Sequence, residues 1–346
     1  MDSLDPISCF SRGLDYSVEL SVKQTNCLNI RKPSSAFRCP PTFVGIGSMR
    51  CGSTWLYQAL RCHPDIWLSD RKEIDFFFMR RMLRYDLRWY EAHFTPADGH
   101  LPKPIRGEIS PLYARLKAWQ VKRIAKLLPN LRVILTLRHP IERAWSQALF
   151  ELGHLENRDV RRISSVEFLR QFDRPRNRLS SDYCRTIEIW SNAFGRDALH
   201  VDFFDRLQDD AEGYINGILR HIGAASPWTL PPKFIRKKVH ATTALVRHER
   251  QIPEVVRWYF ADRLLESTER LNDLLEGRVS KWVDEMRAIR SKTRLNWRIL
   301  GEINRILFSM PERLAYESYH AILDARLWLR WQQFQSANGL APSMNG

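Results

Sequence analysis

Phe43-Val-Gly-Ile-Gly-Ser-Met-Arg-Cys-Gly-Ser-Thr-Trp-Leu-Tyr57 is the stretch that decides the fold of this 346-residue chain. It reads as a short buried strand (Thr42 to Gly45), a turn punctuated by Gly45, Gly47 and Gly52, and a helix opening at Ser53-Thr54. Such a turn aims several backbone N–H groups into one concavity. The helix adds its unsatisfied first-turn N–H groups and the positive end of its dipole. Together they form an anion cradle, to which Arg50 brings a full positive charge. The ligand expected there carries a phosphate or sulfate.

Outward from this loop, short apolar runs alternate with amphipathic helices, the pattern of a parallel sheet with crossovers. The expected strands are Phe43–Ile46, Ile66–Leu68, Arg106–Ile109, Val133–Leu137 and Leu199–Phe203. Helices are expected over Ser53–Arg61, Ala118–Leu128, Ile141–Leu149, Asp182–Phe194 and Glu212–Ile222. The fold class is therefore α/β: a P-loop-like central parallel sheet with helices on both faces, plus a helical C-terminal extension. Open parallel sheets bind ligands at the carboxyl ends of their strands. The first expected strand ends in the glycine loop and the fourth in Arg138-His139-Pro140, so both loops face one crevice.

Gly47 and Gly52 have the spacing of an ATP- or GTP-binding loop, but the lysine that should follow is Ser53. The positive charge stands two positions before Gly52, as Arg50. The strand Val133–Leu137 ends in arginine rather than the carboxylate that would hold Mg²⁺. A nucleotide-dependent kinase is the alternative that these two departures weaken. A basic nucleic-acid-binding protein is an alternative of another class, with no recognition motif behind it.

Four motifs in order resemble the sulfotransferases that use 3′-phosphoadenylyl sulfate, in the pattern of the heparan and glycan-modifying branch and its bacterial relatives. Arg50-Cys-Gly-Ser-Thr54 with Trp55-Leu-Tyr57 is similar to the 5′-phosphosulfate loop. Arg71-Lys-Glu-Ile-Asp-Phe-Phe-Phe78 resembles a Lys-Glu-x-x-Phe-Phe stretch whose Glu is a base. Gly107-Glu-Ile-Ser-Pro-Leu-Tyr113 is similar to a Glu-Lys-(Ser/Thr)-Pro-x-Tyr motif. Arg138-His-Pro-Ile-Glu-Arg-Ala-Trp-Ser146 resembles the 3′-phosphate motif. The likeness runs from about Pro41 to Glu285. Arg50 stands where the family loop has lysine, so a planar fork replaces a point charge. Ile109 stands where the heparan branch often has lysine.

The resemblance implies in-line sulfuryl transfer to a hydroxyl or amine, with 3′-phosphoadenylyl sulfate as donor and no metal. It implies that Arg50, Cys51, Gly52, Ser53, Thr54 and Trp55 hold the 5′ side of the donor, and that Arg138 and Ser146 hold the 3′-phosphate. The basic loop Lys233–Lys238 either closes over the adenosine, with Lys237 or Lys238 at the 3′-phosphate, or is a solvated charge run. Glu73 is the candidate base. Apolar Ile74 and Phe76–Phe78 would desolvate it and raise its basicity. Lys72 is carried with it as a catalytic candidate, although its charge opposes that effect. Glu108 reads either as the buried partner of an arginine or as an acceptor-site residue. His63, before Pro64, reads as a helix terminus.

Hydrophobic content of 44% and charged content of 27% are ordinary for a soluble protein, but a formal charge of +15 is not. With a pI near 9.8, the chain is expected to meet an anionic partner. Cys9, Cys27, Cys39, Cys51, Cys62 and Cys184 form no C-x-x-C pair and no metal-ligand spacing, so reduced thiols and a cytoplasmic setting are expected. No run approaches the roughly 18 apolar residues of a membrane span, and a Golgi-type anchor is not expected.

Three parts are expected: a poorly ordered 1–39, a catalytic domain over 40–286, and a helical extension over 287–346. The extension has apolar and aromatic residues at helical spacing (Trp297, Leu300, Ile303, Leu307, then Ile322, Leu327, Trp331) among basic ones. It either packs on the domain or on a second subunit, or meets an anionic inner membrane surface. The expected partners are thus a small-molecule donor and a glycan or glycolipid acceptor, with peripheral membrane contact through the extension and no nucleic acid.

Overall fold

The computed structural model describes residues 39–95, 103–224, 228–236 and 251–337. All five expected strands form: β1 (Phe43–Gly47), β2 (Ile66–Leu68), β3 (Ile105–Ile109), β4 (Arg132–Leu137) and β5 (Leu199–Phe203). They make one sheet in the order β2-β3-β1-β4-β5, with every pairing parallel. A sheet covered on both faces needs strands that are apolar throughout. In β4 only Arg132 is exposed, and Val133 to Leu137 are all buried.

One face packs Val44, Ile46, Val133 and Leu135 against Val121, Ile124, Tyr183 and Trp190 of the helices Ala118–Leu127 and Tyr183–Phe194. The other face packs Phe43, Ile109 and Ile134 against Trp55, Leu56, Tyr214 and Ile218 of the helices Ser53–Leu60 and Ala211–Ile222. Gly107 lets β3 lie close to β1, since a Cβ there would meet the Phe43 carbonyl at 2.5 Å. Strand order reverses about β1: β3 and β2 lie on one side, β4 and β5 on the other. The loop after β1 therefore stands at the topological switch point, where open α/β sheets bind ligands.

A third core joins the helices Pro140–Ala148, Ser165–Asp173 and Glu254–Leu274, with Trp145, Phe168, Phe172 and Phe260 buried among them. The helix Ser280–Ser291 packs on it through Val283 and Met286. Beyond it the chain is helical from Leu295 to Ala337, with a π-turn at Arg305–Ser309. Its inner side is anchored twice. Buried Asp173 accepts at Oδ2 from Tyr259 Oη (2.5 Å), Asn304 Nδ2 (2.7 Å) and Ser309 Oγ (2.5 Å). Further on, Leu323 and Leu327 pack against Met82 and Trp119.

Candidate functional site

The loop between β1 and the helix Ser53–Leu60 is pinned to its neighbours by backbone. Ser48 N–H donates to the Thr136 carbonyl of β4 at 2.8 Å, and Ser110 N–H to the Gly45 carbonyl at 2.8 Å. Gly52 precedes the helix with φ of 86°, a left-handed conformation that favours glycine, and a Cβ there would also have to displace the Leu207 methyl at 2.7 Å. Arg50 is held at φ 67°, a conformation unusual outside glycine and concentrated at binding loops. The first helical hydrogen bond runs from Leu56 N–H to the Gly52 carbonyl. The N–H groups of Ser53, Thr54 and Trp55 open the helix, and no acidic side chain stands in its first turn. That combination favours an anion.

The loop meets the turn after β4. Arg50 Nε donates to Ser146 Oγ at 3.2 Å, and its guanidinium lies 4.6 Å over the Phe150 ring. Arg138 donates to the Arg50 carbonyl at 3.4 Å and stacks 4.8 Å over Phe204. Arg143, one turn further along, is fully buried. Its Nη2 donates to Ser181 Oγ at 2.5 Å and the Asn177 carbonyl at 3.4 Å, while Nε and Nη1 have no hydrogen-bond partner. The hydroxyl of Ser48 is likewise buried without a partner.

The three arginines act on one another. Burial, then the charge of Arg138, bring the Arg50 guanidinium down to about 10. Burial lowers Arg143 as well. Cys51 sits among them, yet its own burial outweighs their attraction and pushes the thiol up to about 11, so it remains protonated. Trp55 lies in the core, with its ring edge-on to Tyr214 and Phe234. Only its backbone N–H belongs to the loop. Lys237 and Lys238 lie outside the described residues; nearby Lys233 stacks over Phe234 at 5.1 Å.

The Arg71–Phe78 segment is tied to the end of β3. Glu73 N–H donates to the Ile109 carbonyl at 3.3 Å, and Asp75 N–H to Ser110 Oγ at 3.1 Å. Both residues have positive φ, 61° and 51°. The Glu73 carboxylate is half-exposed, accepts from the Lys72 ammonium, and helps to hold the charge on Arg50. Glu108 finds three hydroxyls rather than an arginine. Tyr90 Oη donates to Oε1 at 2.7 Å, Tyr113 Oη to Oε1 at 2.9 Å, and Ser110 Oγ to Oε2 at 2.5 Å. Burial raises its carboxyl above the usual range, and these hydrogen bonds pull it back.

Two residues of this site escape a motif-by-motif reading. Arg143 lies inside the Arg138–Ser146 stretch, but its role depends on burial. Asp75 is 7% exposed and its Oδ1 has no partner. Burial and the charges of Glu73 and Glu108 push it up to about 7, against the pull of Arg81 and Lys72. A carboxylate inside the apolar run Ile74-Asp75-Phe76-Phe77 was the available signal. The histidines offer less. Burial brings His139 down to about 4, beside Trp282. His63 is buried beside Trp228 and accepts from Asp65 N–H at 3.2 Å, closing a helix end.

Residues 110–229 match the model of the sulfotransferase family. Over 118 residues the chain is 33% identical to the membrane-associated sulfotransferase kil1 of Dictyostelium discoideum, a match covering 34% of this chain. The chain spans about a quarter of that relative's length, 24%. Its structure is similar to that of a sulfotransferase from Alicyclobacillus acidocaldarius, with a TM-score of 0.56 and 20% identity over 70% of this chain and 98% of the other. That second likeness is one of fold. Over residues 110–229, which include the Arg138–Ser146 turn, the chain is thus similar to the sulfotransferase family, and its α/β fold is similar to that of a solved sulfotransferase.

Proposed function

We propose that this protein transfers a sulfuryl group from 3′-phosphoadenylyl sulfate to a hydroxyl or amine of a carbohydrate or glycolipid acceptor. The observation that carries the reading is the convergence of Arg50, Arg138 and Arg143 on one loop, with two donor groups of a fully buried guanidinium unmatched. Leaving buried charged donors unpaired costs several kcal/mol, of order 3–5 for a broken ion pair. A ligand with several negative charges offsets that cost. The donor set is suited to such a ligand: helix-start amides, the hydroxyls of Ser48, Ser53, Thr54 and Ser146, and three guanidinium groups.

In this reading Arg50 and the Cys51–Trp55 backbone hold the 5′ side of the donor. Arg138 and Ser146 hold its 3′-phosphate, with Lys238 as a further candidate. The donor supplies a sulfuryl group already activated by its anhydride with phosphate. Glu73 takes the proton of the attacking hydroxyl or amine as its bond to sulfur forms. The electron pair of the broken bond stays on the leaving phosphate oxygen, where Arg50 offsets the growing charge. The Lys72 ammonium holds the Glu73 carboxylate in place. Residues 40–286 form the catalytic unit, and 287–346 an extension in peripheral contact with an inner membrane surface. The Dictyostelium relative is a membrane-associated sulfotransferase, which supports such a contact, and no described helix is long and apolar enough to cross a membrane.

Incubation with sulfur-labelled donor and with glycan and glycolipid fractions tests this reading. Label should pass to one fraction and not in the Glu73→Gln variant. Magnesium-dependent phosphate transfer from ATP, without sulfate transfer, would overturn it.

A further inference from the structure

Among the described residues, the exposed large apolar side chains lie almost entirely between Leu295 and Leu329, the exceptions being Leu155 and Ile235. The helical stretch that carries them is roughly 60 Å long at 1.5 Å per residue. Its inner side is occupied by the Asp173 anchor and by Leu323, Leu327 and Trp331. Its outer side is apolar too. Leu295 is 74% exposed, Leu314 64% and Ile322 61%, and Ile299, Leu307 and Leu329 stand out with them. Between Leu314 and Leu329 the exposed positions Ser318, Ala321, Ile322, Ala325 and Trp328 carry no charge, and the exposed charges Glu317 and Arg326 stand beside them. A solvated helix face would be mostly polar; a stripe this rich in exposed apolar side chains marks a binding surface.

Charge decides what covers it. Three of the four acidic side chains along this stretch are paired, Glu302 with Arg305, Glu317 with Arg313 and Asp324 with Lys117; the fourth is Glu312. Arg298 and Arg326 are exposed at the margins of the stripe, and Trp328 and Tyr319 are exposed aromatics of the kind that sit at a lipid headgroup boundary. A second copy of the chain would bring another formal charge of +15 and be repelled, whereas an anionic lipid surface is attracted. On the opposite side, the same helix rests on Met82 and donates from Arg330 Nε to the Met82 carbonyl at 2.9 Å. Met82 belongs to the short helix that directly follows the Lys72–Phe78 acceptor motif.

We propose that the outer stripe of the 295–337 helix lies on an anionic phospholipid leaflet and thereby holds the Glu73 segment beside it, so that the acceptor is a lipid-anchored molecule. The docking stands by itself; the statement about the acceptor rests on the sulfuryl-transfer reading above.

Sedimentation of the full chain with phosphatidylcholine vesicles, with and without about a third phosphatidylserine, tests the docking. The wild type should pellet with the anionic vesicles at low salt, and at least tenfold less with neutral ones or in high salt. The triple variant Leu314→Glu, Ile322→Glu, Leu329→Glu changes only outward side chains. It should lose vesicle binding while keeping its melting temperature and its affinity for adenosine 3′,5′-bisphosphate. A wild type that stays in solution at low salt overturns the docking. So does a stable dimer in solution that the triple variant dissolves. Hydrogen exchange on the vesicle-bound protein tests the second half: amides of 79–84 should slow along with those of 310–337, and unchanged exchange at 79–84 overturns the lipid-anchored acceptor. Normal vesicle binding without any affinity for the bisphosphate would instead defeat the sulfuryl-transfer reading and leave the docking intact.

Discussion

Arg50 donates from Nε to the hydroxyl of Ser146 at 3.2 Å, across 96 positions of sequence. With the bond from Arg138 to the Arg50 carbonyl, this contact joins the loop after β1 to the helix after β4. A hydrogen bond to a charged group is worth about 1.5–3 kcal/mol. Ser146→Ala is therefore expected to weaken adenosine 3′,5′-bisphosphate binding by roughly tenfold or more. Calorimetry on the folded variant checks it, and unchanged affinity would detach Ser146 from the ligand.

Glu73→Gln keeps the size of the side chain and removes its basicity. Turnover should fall by about 10²–10⁴-fold, the usual worth of a general base. Bisphosphate affinity should largely remain, because Glu73 acts on the loop through its charge on Arg50, which glutamine removes without adding a clash. A variant with near-normal turnover would send the search for the base to Asp75.

Asp75 makes stability depend on pH in a stated direction. The groups acting on it are Glu73, Lys72 and Arg71 of its own segment, Glu108 of β3, Arg81 and Tyr113. Its folded value, pushed up to about 7, lies above the ordinary 3.8, so the native state holds a proton that the unfolded chain has lost. That contribution is full below about pH 4 and is lost as pH rises through 7. Asp75→Asn should remove this slope and be more stable than the wild type at pH 8, by about 2–4 kcal/mol. Thermal melts from pH 4 to 8 provide the comparison, and parallel curves for the two proteins would rule the assignment out.

Asp173 ties three donors from three helical segments. Asp173→Ala leaves the groups of Tyr259, Asn304 and Ser309 buried and unmatched, at a cost of about 1–3 kcal/mol each. The variant should melt at lower temperature and be cleaved by protease first between Leu295 and Ser309. Wild-type resistance there would mean that the second anchor, at Met82 and Trp119, suffices.

The central strands were legible because they are short apolar runs, as the buried Val133–Leu137 shows, whereas β3 and β5 carry Arg106, Glu108, His200 and Asp202 and are partly exposed. The cradle was legible because Gly52 and the helix start it precedes are local features. Arg143 and Asp75 were harder, since each matters through burial that distant residues create. Asp75 is covered from β3 and Tyr113, and Arg143 from Asn177 and Ser181. The direction of the C-terminal helix could not be read at all. Leu327 is buried while neighbouring Trp328 and Leu329 are exposed, and the difference is made by Met82 and Trp119, far away in sequence. A helix that is apolar on two sides has no single moment to read.

Titration calorimetry of adenosine 3′,5′-bisphosphate in metal-free buffer tests the central claim most directly. The arginine site should bind the bisphosphate without Mg²⁺ and bind ATP much more weakly. Removing one partner of a buried charge contact costs about 2–5 kcal/mol, so Arg138→Ala should weaken the bisphosphate by roughly 30-fold or more. Magnesium-dependent ATP binding as tight as that of the bisphosphate, or an Arg138→Ala variant with wild-type affinity, would contradict the account.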